Sequence, residues 1–458
     1  MSEFLKILIS CQNFNLSKSI HHHPSIDPSI DSSKDSSKEP SRNHLVEHLV
    51  PFFIHAPDHS DHSIVIRPQP TSPKLPSRRT SSSSSRRQSA NKILKPLSLY
   101  LTKSNSDDQL NLACFQSQSF LSNSNSNSNY DDHEKIRDFS QPIGYLRPCI
   151  INALFNDNQK MLEIKTKPCW KFLYSIHQNS NHPIISDTDH QSLLSPWAIA
   201  FEDWINDSEN RLETRREHLD RLIRNWKQSG LFLDQLSGWR DEEYSVYGPK
   251  LYNDLNHLSN LPGSNEAFRI ERAAVGLFSF LSFGAHLTAY IKKDDQYYFW
   301  IPRRSATKAT WPSKLDNTVA GGIPAGESPL ETILRESFEE ASLDQDFVRS
   351  NVRPCGLISY VHRNQFGWIS PEIQYTYDLE LPFDQSIIPK PNDGESENFK
   401  LFTLEELKSS LIEEKFKPNC AGVLIDFLIR HGIFNFENQP SFAQMCTILK
   451  QSIDLPLP

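Results

Sequence analysis

Between Gly321 and Leu343 the chain reads GGIPAGESPLETILRESFEEASL, and no other stretch restricts the fold as tightly. Ser328 followed by Pro329 is an N-cap and a first helical turn. A helix is therefore predicted over Pro329–Ala341. On that helix Glu336, Glu339 and Glu340 stand at i, i+3 and i+4, so their carboxylates share one face. Leu330, Leu334, Phe338 and Ala341 make the opposite stripe, expected to pack inward. Like charges at this spacing repel by roughly a few tenths of a kcal/mol per pair. The crowding makes sense if a hard cation sits among them. Carboxylate oxygens suit Mg²⁺, with Mn²⁺ as the alternative, and Mg²⁺ usually shares its shell with substrate phosphates. Arg335 is placed to pair with Glu331 or Glu339. The glycines before the helix, Gly321, Gly322 and Gly326, predict a tight loop that turns Glu327 back toward the metal-binding face.

Strands are expected on both sides of this helix, at Leu277–Ile291 and Tyr297–Ile301 before it. Gly356–Val361, Ile373–Leu379 and Phe399–Phe402 follow, and the third of these alternates Ile373, Tyr375, Tyr377, Leu379. Thr403 and Glu406 make a capping box that opens another helix at Leu404. Strands, helix, strands, helix is an α/β order. Ala273–Ile291 carries no charged residue and imitates a membrane span. Its small and polar residues, Gly276, Ser279, Ser282, Gly284, His286 and Thr288, favour buried strand instead.

The string Gly-x5-Glu-x7-Arg-Glu-x-x-Glu-Glu closely resembles the Nudix box. It departs at Ser337, where the box usually has an aliphatic residue, and at Ser342, where it usually has glycine. The resemblance implies a C-terminal Nudix α/β/α sandwich with a mixed sheet. It also implies an enzyme in which box acids bind Mg²⁺ and water attacks a phosphorus of a diphosphate. Glu336, Glu339 and Glu340 are then the metal ligands. Glu336 doubles as a candidate base, and Arg335 and Glu340 complete the catalytic set. Glu395 and Glu397 are candidates for an additional acid from a later loop. Arg303, Arg304 and Lys308, in the string PRRSATKATWPSKLDNTVAGG, are expected to grip the diphosphate. Trp311 is expected in the core. The same string resembles isopentenyl diphosphate isomerase. That reaction needs a cysteine and a histidine where Ala320 and Gly322 stand, so the isomerase reading fails.

Further strings, IGYLRP, GWRDEEYSVY and FGAHLTAYI, together with the last one look like a fungal and plant group. In that group a helper domain of unassigned role precedes the Nudix domain. FLKILISCQNF at Phe4–Phe14 and HLVPFFI at His48–Ile54 resemble the start of that helper domain. The group is linked to hydrolysis of thiamine diphosphate and its oxidised oxo and oxy analogues to the monophosphates. The alternatives are a nucleoside-diphosphate-linked substrate, such as ADP-ribose or a dinucleotide, and a non-catalytic binding module. The box reads the diphosphate and not the group attached to it.

The expected organisation is the start of an α+β helper domain at 1–66, a low-complexity, disordered insert at 67–138, and the rest of the helper domain at 139–262. A Nudix domain at 263–436 and a tail at 437–458 follow. The helper domain should contain a strand at Ile143–Leu146, a helix over Asp207–Gln228 and a strand at Tyr244–Tyr247. Within the insert, Arg-Arg-x-Ser strings place Ser81 and Ser89 as candidate phosphorylation sites. A net charge of −8 argues against a general nucleic-acid partner. Seven scattered cysteines, none paired as CxxC, suggest neither a disulfide framework nor a zinc site. No membrane partner is expected, the partner being the small-molecule diphosphate. The expected location is cytoplasmic, with the mitochondrion as the alternative.

Overall fold

A computed structural model describes residues 3–11, 49–55, 63–65, 141–175, 196–249 and 263–458. The expected insert and its two serines lie outside these residues.

In the N-terminal unit β1 (Val50–Phe53), β2 (Ser63–Val65), β3 (Gly144–Leu146), β4 (Trp170–Ser175) and β5 (Ala198–Phe201) form a sheet in the order β2-β4-β5-β1-β3. One of its faces is strongly aromatic: Phe52, Trp170, Phe201, Phe278 and Phe280 are buried together. Helix Arg211–Gln228 covers this core with Leu219, Leu222, Ile223 and Trp226, which recur at helical spacing. A ribbon of β6 (Glu243–Tyr247) and β7 (Glu266–Glu271) completes the unit.

In the C-terminal domain β8 (Ser282–Lys293) is the central strand. It runs parallel to β12 (Ile369–Glu380), which pairs antiparallel with β11 (Arg353–Arg363). On its other side β8 pairs with β9 (Gln296–Arg304) along its second half and with β10 (Val319–Gly322) along its first. β13 (Ser396–Thr403) pairs with β9. The sheet is mixed and covered on both faces. That is why β8 carries no charge before Lys292: Ala285, Leu287, Ala289 and Ile291 pack against helix Pro329–Ala341, while Tyr290 packs against helix Pro418–Arg430. The capping box at Thr403 opens helix Leu404–Ile412 as expected. None of the helices among the described residues is long and apolar enough to cross a membrane.

Three expected boundaries move. Helix Glu3–Cys11, expected to start the helper domain, packs instead with Phe4, Leu5, Ile7 and Leu8 against Phe427, Phe434 and Met445 of the C-terminal domain. Residues 266–280, expected in the second domain, belong to the first by packing, because Phe268, Ile270, Leu277, Phe278 and Phe280 are in its core. The expected tail holds helix Phe442–Leu449, and Met445, Leu449 and Leu455 are buried. The two units meet through a shared apolar cluster that includes Leu49, Tyr145, Phe283, Val361 and Ile373.

Candidate active site

Helix Pro329–Ala341 has the predicted bounds. Ser328 caps it, and Glu331 closes a capping box rather than pairing with Arg335. The inward stripe differs by a small rotation from the predicted one. Ile333, Leu334, Ser337 and Ala341 are buried, whereas Phe338 is 52% exposed. Ser337, where an aliphatic residue is usual, is fully buried, and its hydroxyl has no partner. Ser342 takes the left-handed conformation (φ 53°) that ends the helix, which accounts for glycine being usual there.

The acids of the helix divide into two groups. Arg335 collects one: its Nε and Nη2 donate to Glu327 at 2.9 and 3.0 Å, and its Nη1 donates to Glu336 at 2.9 Å and Glu339 at 3.0 Å. Arg335 thereby holds the Glu327 carboxyl below its ordinary range. Gly326, with φ +90°, supplies the turn that returns Glu327 to the helix. Glu340 belongs to the other group. It points under β10 and accepts the Ala320 N–H at 3.0 Å. Burial raises its carboxyl well above the ordinary value, repulsion from Glu336 and Asp316 adds to this, and the Ala320 N–H opposes it. Glu336 is also raised, by burial first, against the attraction of Arg335 and with repulsion from Glu339 and Glu395. A Cβ on Gly321 would overlap the Glu336 carboxylate, so glycine is what lets this acid lie against the strand.

Of the two later acids, Glu395 is the one whose charge reaches both Glu336 and Glu340. It pairs with Lys308. Glu397 turns away and accepts the Ala306 N–H at 3.1 Å. The three expected cations part company. Arg304 is partly buried and spends its guanidinium on Asp316 at 2.5 Å and on the carbonyls of Thr310 and Trp311. It is a strut of the loop rather than a free ligand for phosphate. Arg303 donates to Ser313 O and keeps other N–H groups. Trp311 is 42% exposed, not in the core, on a loop where its own φ is +52° and that of Ser313 +59°.

The other face of β8 carries polar residues for which the sequence offered no role. His286 and Asn317 are bonded at 2.7 Å. Burial lowers the His286 imidazole to about 4, so it is neutral at pH 7. Gln374 donates to Glu372 and Tyr360. Cys420 donates to Asp316 at 2.6 Å. Gln374 Oε1, Thr288 Oγ1 and Thr376 Oγ1 are buried without a partner. The signal in the sequence was the string LDN, at Leu315–Asn317, whose Leu315 enters the core while Asp316 and Asn317 both enter the polar network.

The donor set at the helix is all carboxylate oxygen, which fits Mg²⁺ or Mn²⁺. Among the described residues no three Asp, Glu, His or Cys side chains stand close enough together to hold an ion as they are. Arg335 pairs with Glu327, Glu336 and Glu339, and Lys308 with Glu395. The raised Glu336 and Glu340 carboxyls are the part of the set that a cation would relieve.

Residues 285–420 match the NUDIX domain. The chain therefore carries a Nudix domain, with the mixed sheet and flanking helices of that fold. Over 236 residues it is 39% identical to the uncharacterized protein YJR142W of Saccharomyces cerevisiae, a match covering 49% of this chain and 64% of that protein. It is 36% and 34% identical, over 191 residues each, to Nudix hydrolases 20 and 24 of Arabidopsis thaliana, both named chloroplastic. Those matches cover 42% of this chain and 50% and 51% of theirs. The chain thus spans less than two thirds of the length of each of these relatives.

Proposed function

We propose that the protein is a divalent-metal-dependent hydrolase of a small-molecule diphosphate. The observation that carries this reading is the crowding of Glu336 and Glu340, two carboxyls raised by burial first, Glu340 also by Glu336 and both by the charge of Glu395. A retired binding module has no use for this costly arrangement. Glu336, Glu339 and Glu340 would hold Mg²⁺, or Mn²⁺ in its place. The metal, when bound, neutralises phosphoryl charge and lowers the pKa of attacking water.

The chain's own residues do the rest. Arg335 fixes the rotamers of Glu336 and Glu339 through Nη1 and anchors them to Glu327. The Ala320 N–H holds Glu340 in place. Glu336, raised and half-buried, is the group suited to take the proton of the attacking water.

The substrate proposed is thiamine diphosphate or its oxo and oxy analogues, cut to the monophosphate. Support comes from the strings that span both units. The alternative is ADP-ribose or a dinucleotide, favoured by the breadth of the Nudix domain. A panel of diphosphates with Mg²⁺ tests both. Oxothiamine or oxythiamine diphosphate should give the higher kcat/KM, and a reversed ranking would assign the enzyme to nucleotide-linked substrates. Hydrolysis that persists in full with chelator present would end the metal-dependent reading.

A further inference from the structure

The N-terminal unit touches the loop that precedes the Nudix helix at successive residues. The Ala325 N–H donates to the Glu243 carbonyl at 2.8 Å, tying the loop to β6. Tyr244, next on β6 and buried, fills with its hydroxyl the space that a Cβ on Gly322 would take. Arg272, directly after β7, lies 3.7 Å from that same Cβ position. Its guanidinium is 5.4 Å from the Tyr244 ring centroid and donates to Glu242 at 2.8 Å. Burial opposes its charge, and Tyr244, Glu242 and the Nudix-helix Glu336 more than offset it. Glu242 also lines a cleft of about 460 Å³ where residues of the N-terminal unit, acids and arginines together, meet Pro324 and Ala325 of the loop.

A diphosphate entering a site that holds Glu336, Glu339, Glu340 and Glu395 needs cations besides the metal. Arg335 is spent on three glutamates, Lys308 on Glu395, and Arg304 on Asp316 and two carbonyls, which leaves Arg303, with one N–H given to the Ser313 carbonyl, and Arg272. Arg272 spends one nitrogen on Glu242, and its side chain is 36% exposed. The remaining edge of a guanidinium matches two phosphate oxygens. We propose that Arg272, carried by the N-terminal unit across Gly322, is a binding residue for the substrate's diphosphate, with Tyr244 and Glu242 setting its orientation. The proposal rests on the diphosphate reading above and gives the N-terminal unit a part in the site.

The test is calorimetric titration of the full chain with imidodiphosphate, a non-hydrolysable diphosphate, in the presence of Mg²⁺, alongside thermal unfolding. Arg272→Ala should weaken binding at least about tenfold while Tm of the free protein moves by no more than about 3 °C. Arg272→Lys, which keeps the charge but loses the fork, should weaken it at least about threefold. Unchanged affinity in Arg272→Ala overturns the proposal. Should that variant not fold, unchanged affinity in Arg272→Lys overturns it instead. A wild-type chain that binds imidodiphosphate through Arg272 yet hydrolyses no diphosphate would sink the hydrolase reading and support this one. Hydrolysis and binding that are both indifferent to Arg272 would do the reverse.

Discussion

The Glu340 carboxylate accepts the Ala320 N–H at 3.0 Å, so the last acid of the Nudix helix is held beneath the strand that leads into its own loop. The contact orients the acid and also keeps it where ionisation is unfavourable, beside Glu336 and Asp316.

Glu340→Gln should therefore separate activity from stability. The amide oxygen can still accept from Ala320, so the fold is kept. The charge that a divalent ion would meet is gone. Activity should fall at least about 100-fold, while Tm of the metal-free protein should rise by about 2–4 °C, the shift that ~1 kcal/mol gives in a domain of this size. A variant with lowered Tm would show that the carboxylate stabilises the fold.

The same group sets a pH dependence. Its folded pKa is raised above the unfolded value, so the folded state holds the proton more tightly. This contribution to stability is fully present below the unfolded pKa, and it is lost as pH rises toward and through the raised folded value. In chelator, the Tm advantage of Glu340→Gln over wild type should grow as pH is raised from about 4.5. A difference constant across that range would contradict the raised carboxyl.

Arg304→Ala should cost stability rather than substrate binding. It leaves the buried Asp316 with Lys417 as its remaining cation and releases the loop carbonyls of Thr310 and Trp311, a loss of about 1–3 kcal/mol. KM for a diphosphate should change little in whatever fraction remains folded. A raised KM with unchanged Tm would return Arg304 to the role that its place in the sequence suggested.

Gly322→Ala should act on Tyr244. The added methyl overlaps the hydroxyl, and overpacking of this kind costs about 1–3 kcal/mol. Tyr244→Phe removes the obstructing oxygen, so the double variant should recover part of the loss in a denaturation cycle. Strict additivity would mean that the two residues do not meet.

The Nudix helix, its cap and its glutamates were legible because one helical period carries both packing and chemistry, and carboxylates at i, i+3 and i+4 have few other uses. The stripe was misplaced at Phe338 because three-to-four spacing does not fix a helix's rotation, and the buried Ser337 lies where polarity argued for the surface. Arg304 and Lys308 looked alike as cations beside the box. Only the fold shows that one is paired with the buried Asp316 and the other with Glu395. Trp311 was misjudged since apolar character alone assigns it to a core, whereas its loop turns it outward. Tyr244 and Arg272 could not be found from the box because they reach it from another unit, through contacts with Gly322 that are remote in the chain.

Helix Glu3–Cys11 rests on helices Pro418–Arg430 and Phe442–Leu449. During synthesis the helix emerges roughly 400 residues before the surface that receives it, which at 5–20 residues per second is a delay of about 20–80 s. Through that interval the apolar side of Phe4, Leu5, Ile7 and Leu8 has no native cover. The C-terminal domain is thus closed by a segment made long before it, one that at nine residues is too short to hold a helix by itself in water until that surface exists.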